Sequence, residues 1–71
     1  MDKRNIKVTY ESIDGHEESL VFTFLSPGQR WAQKWVGKAP TLGRGYAVSD
    51  DGIGKITVEG ALLTEIFPDG F

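Results

Sequence analysis

Apolar and polar positions first alternate along the chain. Ile6, Val8 and Tyr10 interleave with Lys7, Thr9 and Glu11, the period of a strand with one buried face. Leu20, Phe22 and Phe24 interleave with Val21, Thr23 and Leu25 and predict a second strand. Asp14-Gly15 between them signals a hairpin. A two-residue Asp14-Gly15 loop would pair Val8 with Val21 and Ile6 with Thr23. That register turns Leu20, Phe22 and Phe24 away from Ile6, Val8 and Tyr10. A three-residue loop, Ile13-Asp14-Gly15, pairs Val8 with Leu20 and Ile6 with Phe22. It also puts Gly15 at the left-handed position of a bulge, where glycine is favoured. The pattern favours the three-residue loop.

The period then lengthens. Gly28, Trp31, Ala32, Trp35 and Val36 fall at i, i+3, i+4 spacing, and Arg30, Gln33 and Lys34 fall on the other side. This predicts a short helix over Pro27 to Val36. Ser26 fits an N-cap, Pro27 the first helical position and Gln29 a capping box; Gly37 fits the residue just past the end. So short a helix is marginal alone and needs tertiary packing. Pro40, Gly43 and Gly45 mark a loop after it.

The last third predicts a three-stranded meander. Asp50-Asp51-Gly52 as a three-residue loop pairs Val48 with Gly54 and Tyr46 with Ile56. Glu59-Gly60 as a two-residue turn pairs Val58 with Ala61 and Ile56 with Leu63. One face then collects Tyr46, Val48, Ile56, Val58, Leu63 and Phe67, and the reverse face collects Ile53, Leu62 and Ile66 with Lys55, Thr57 and Thr64. A reverse face that apolar needs cover. It calls for a partner, a second copy, or a sheet that curls on itself. Pro68 to Phe71 is expected to fray.

The expected order is β-β-α-β-β-β in one domain, residues 1–71, of the α+β class. Two layouts fit it: a small antiparallel sheet with one helix packed on it, or a sheet bent into an SH3-like or OB-like roll.

Charge adds one feature. Residues 26–45 carry Arg30, Lys34, Lys38 and Arg44 with no acid, while the flanking segments are net acidic and the whole chain is −2. A basic middle with Trp31 and Trp35 is a candidate for an anion or nucleic acid. The helical spacing instead places both indoles with the core. The 71 residues include no cysteine, which excludes disulfides and thiolate metal sites and suits a cytoplasmic setting. Neither a secretory h-region nor a membrane-length apolar run is expected from the pattern.

Catalytic motifs fail on inspection. Val48 stands where G-x-G-x-x-G needs its third glycine, and Ser49 and Ile56 break a P-loop around Gly54-Lys55. Asp50, Asp51 and Asp69 lack the ligand spacing of a calcium loop. His16, the single histidine, has no triad context, and Glu17 and Glu18 point to opposite faces of a strand. No catalytic, cofactor or metal residue and no small-molecule substrate is therefore expected. The sequence reads as a non-catalytic accessory protein, of a kind that phages and mobile elements carry, docking to another protein or a second copy through Ile53, Leu62 and Ile66. The alternative is a nucleic-acid-binding module using Arg30, Lys34, Lys38 and Arg44.

Overall fold

The computed structural model describes residues 3–70. Its elements are β1 (Ile6–Ser12), β2 (Glu17–Phe22), α1 (Leu25–Val36), β3 (Thr41–Leu42), β4 (Tyr46–Val48), β5 (Gly54–Glu59) and α2 (Leu63–Ile66). The strands form one antiparallel sheet in the order β2-β1-β5-β4-β3. The edges, β2 and β3, do not meet, so the sheet stays open and the roll is set aside. The chain is α+β, with one main helix on an antiparallel sheet.

The first hairpin follows its local pattern. Ile6 pairs with Phe22 and Val8 with Leu20, as the three-residue loop requires, and Gly15 has φ 94°. Ile6, Val8 and Tyr10 are buried under α1. The helix buries Gly28, Ala32 and Val36 and lies mainly over β1 and β5.

The helix begins before Ser26. Its N-cap is Phe24, with no side-chain cap bond, because Leu25 packs against the core and joins the first turn. Pro27 still falls in that turn, where a missing N–H costs nothing. Gln29 makes no capping box; its side-chain amide donates to the Glu65 carbonyl at 2.9 Å, and that of Gln33 donates to the Ile66 carbonyl at 3.0 Å. Two glutamines one helical turn apart thus satisfy α2 carbonyls. Ser26→Ala is expected to change stability by less than about 0.5 kcal/mol, read as an unmoved urea midpoint.

The last third departs from its expected register. Ser49 N–H donates to the Gly54 carbonyl at 3.0 Å, so the loop holds Asp50, Asp51, Gly52 and Ile53. Ala47 therefore opposes Ile56, and Tyr46 opposes Thr57. This one-residue slip reverses β4. Ala47 enters the core, whereas Tyr46 and Val48, expected there, join the uncovered face. The side chains of Ser49 and Asp51 cause the slip: Ser49 Oγ donates to Asp51 Oδ1 at 2.6 Å and accepts from Ile53 N–H at 3.1 Å and Gly54 N–H at 3.0 Å.

The strand expected after Glu59-Gly60 does not form. Gly60, at φ 89°, turns the chain into α2, where Leu63 and Ile66 sit at helical spacing and Phe67 follows as the C-cap. Ile66 and Phe67 are fully buried, each contributing roughly 1.5–3 kcal/mol of burial. The Glu65 carboxylate accepts from Leu62 N–H at 2.9 Å and from the Arg4 guanidinium at 3.0 Å, fixing the start of α2 to the start of β1. The short strand Thr41–Leu42, unexpected from the pattern, pairs with β4 instead. Pro68 to Gly70 turn back through Gly70 N–H to the Phe67 carbonyl at 3.0 Å; Phe71 of the expected frayed end lies outside the described residues.

The β1–β5 pairing lines the reverse face with polar groups. Lys7 opposes Glu59, Thr9 opposes Thr57 and Glu11 opposes Lys55, pairings that suit a solvated sheet face.

Candidate docking site

The expected apolar face is dispersed by the β4–β5 loop, which takes Ile53, and by α2, which takes Ile66. Ile66 is 0% exposed and belongs to the core. Ile53 and Leu62 are 54% and 68% exposed, but they lie beyond opposite ends of β5. Leu62 lines a shallow hollow of about 310 Å³ with Leu42, Val58 and Leu63.

Ile53 has a different neighbour. Ile13 N–H donates to the Ile53 carbonyl at 3.0 Å, joining the β1–β2 and β4–β5 turns side by side. Ile13 is 82% exposed. Both isoleucines line a shallow hollow of about 270 Å³ with Glu11, Val48 and Lys55. This end of the sheet places two large aliphatic side chains together in water. The pattern of the chain gave no pointer to Ile13, which sits in a turn.

The two turns share a construction. Ser12-Ile13-Asp14-Gly15 and Ser49-Asp50-Asp51-Gly52 repeat Ser-x-Asp-Gly. In the first, Ser12 Oγ donates to Asp14 Oδ1 and accepts from His16 N–H at 3.0 Å. The Ser12 hydroxyl and the Ser49 hydroxyl hold the carboxyls of Asp14 and Asp51 below the ordinary value of 3.8. These two acids and Asp50 lie in the turns of the tip, while Glu11 on the hollow faces Lys55 across the β1–β5 pair. Among the described residues no cluster of three or more His, Asp or Glu side chains is arranged to hold a metal ion.

These carboxylates also set the acid response. The Leu62 N–H, with Arg4 second, lowers Glu65 from its ordinary 4.5. A carboxyl with a depressed folded pKa stabilises the fold above its unfolded value and loses that contribution as pH falls through the folded value. The urea midpoint is expected to hold from neutrality to about pH 5 and to drop below about pH 4. Glu65→Gln and Asp51→Asn should each flatten the acid limb.

Arg30, Lys34, Lys38 and Arg44 are all exposed, and among the described residues none has a carboxylate within ion-pair distance. Arg30 and Lys34 lie on the outer side of α1, Lys38 follows its end, and Arg44 lies in the β3–β4 turn. The indoles next to this stripe are engaged. Trp35 stacks on Tyr10 with centroids 4.2 Å apart, its edge meets Trp31 at 5.9 Å, and Trp31 lies 6.1 Å from Phe22. Both are half-buried against the core, which removes faces that bases would stack on.

Comparison with protein-family models, curated proteins and solved structures returns no match.

Proposed function

We propose that the chain is a small non-catalytic binding protein that docks to another protein through the tip formed by Ile13 and Ile53. The observation that carries this reading is the main-chain bond between the two residues, which holds two exposed aliphatic side chains against one hollow. Glu11 lines that hollow with Lys55 opposite it, and the two turns that carry the isoleucines also carry Asp14, Asp50 and Asp51. The complementary partner presents an apolar protrusion framed by lysine or arginine. The cysteine-free sequence suits a cytoplasmic accessory factor.

Photo-crosslinking in cells tests it. A crosslinking amino acid at position 13 or 53 is expected to capture one and the same protein, and the same probe at position 62 to leave it unlabelled. Asp50→Lys, which touches no bond of the loop, should weaken capture. Equal labelling from position 62, or none from 13 and 53, overturns the reading.

The unpaired Arg30, Lys34, Lys38 and Arg44 favour a second reading, nucleic-acid binding by the basic stripe. A titration with single- and double-stranded DNA and RNA at two salt concentrations decides it, since phosphate contacts weaken with salt. No binding at low salt removes this reading.

A further inference from the structure

The edge strand β2 carries a surface separate from the tip. Its main chain alternates in direction. Ser12 N–H donates to the His16 carbonyl, so the antiparallel alternation turns the main-chain groups of Glu18, Leu20 and Phe22 toward β1. Those of Glu17, Ser19 and Val21 point outward, where the described residues place no further strand beside β2.

The side chains do not blunt this edge. Leu20 lies on the α1 side of the sheet, opposite buried Val8, yet is 48% exposed because the helix sits over β1 and β5. Val21 lies on the reverse face and is 66% exposed. Natural edges carry charge, proline or a bulge at such positions. Here the acids, Glu17 and Glu18, are confined to the start of the strand.

The geometry points to a second copy of this chain as the occupant, with two β2 strands paired antiparallel about a two-fold axis at Leu20. In that register Leu20 meets Leu20 of the other copy on the helix side. Ser19 and Val21 exchange outward main-chain bonds with Val21 and Ser19 of the other copy. Residues of equal parity face each other, so both α1 helices lie on one side of a continuous ten-stranded sheet.

Charge supports a like strand over an arbitrary one. Antiparallel pairing carries each Glu18 to the Phe22 of the other copy. Phe22 lies beside Trp31, Trp31 meets Trp35, and the Lys34 ammonium lies 6.0 Å from the Trp35 centroid on that flank of α1. Each copy thus brings an acid from β2 toward the indole flank of α1 that carries Lys34, a cation with no carboxylate at ion-pair distance among the described residues. In one chain Glu18 is held by His16 Nε2 at 2.9 Å, with both groups exposed. The two acidic strand ends lie at opposite ends of the interface and avoid each other.

Sedimentation of the full chain across a concentration series tests this. The wild type is expected to double its mass reversibly. Ser19→Pro removes an outward N–H and no β1–β2 bond, as edge strands permit; with Leu20→Lys it should raise the dissociation constant by roughly tenfold or more. Far-UV circular dichroism checks that each variant is folded, and Leu20→Lys decides alone if Ser19→Pro is not. Lys34→Glu should weaken association and Glu18→Lys with Lys34→Glu restore part of it. A wild type that stays monomeric throughout, leaving the edge to some other strand, overturns the proposal. So does association that survives in the folded variants.

Discussion

Gly60→Ala is expected to lower the melting temperature by tens of degrees and to leave much of the chain unfolded at moderate urea. Gly60 has φ 89°, and a Cβ there would run into the main-chain carbonyl of Asn5. The left-handed conformation costs an L-residue about 1–2 kcal/mol. Overlap with a backbone atom at the start of β1 adds about 1–3 kcal/mol of overpacking. A domain of this size has about 4–11 kcal/mol in all, and each lost kcal/mol moves the melting temperature by roughly 4–8 °C. Gly15→Ala is the control. Gly15 also has a positive φ, 94°, but nothing lies within 4 Å of an added Cβ. It should lose only the conformational part, about 1 kcal/mol. Equal melting temperatures for the two variants would show that Gly60 does not pack on Asn5.

That contact shows where sequence reasoning ran out. The β1–β2 hairpin was legible because its alternation and its loop lie in one stretch and only one register puts both apolar sets on one side. The helix was legible from its spacing and Gly37, though Leu25 extended it and left Ser26 without a capping role. The slip at Ser49 was not legible. Three- and four-residue loops both suit Asp50-Asp51-Gly52, and side-chain bonds to Ile53 and Gly54 decide between them. Ala61 to Phe67 is dense in apolar residues and matches period 2 and period 3.6 alike. The choice rests on Gln29, Gln33 and Arg4, which reach α2 from distant parts of the chain. The candidate site follows the same division. The sequence pattern assigns Ile53 to an apolar face that the fold does not build. Its true neighbour, Ile13, reaches it through the β1–β5 pairing, and no local pattern joins positions forty residues apart. The repeated Ser-x-Asp-Gly is visible in the sequence, but its two copies read as separate turns until the strands place them together.

Ile66→Lys is expected to unfold the chain, and Leu62→Lys to leave it intact. Four residues apart, both would share one exposed face on a strand. The structure makes them opposites. Ile66 is fully buried with Phe67, Ile6 and Ile56, and its carbonyl is held by Gln33. Lysine there forfeits roughly 1.5–3 kcal/mol of burial. It also places an ammonium among aliphatic side chains, where the penalty is several kcal/mol after relaxation. The sum rivals the roughly 4–11 kcal/mol available to the whole domain. Leu62 is 68% exposed, and its N–H, which bonds Glu65, survives any side chain but proline. Leu62→Lys should move stability by less than about 0.5 kcal/mol. Far-UV circular dichroism with urea melts reads both. A folded Ile66→Lys with a wild-type midpoint would return Ile66 to the surface and restore the strand over residues 61–67. An unfolded Leu62→Lys would show that the hollow beside Leu42 and Val58 is part of the core.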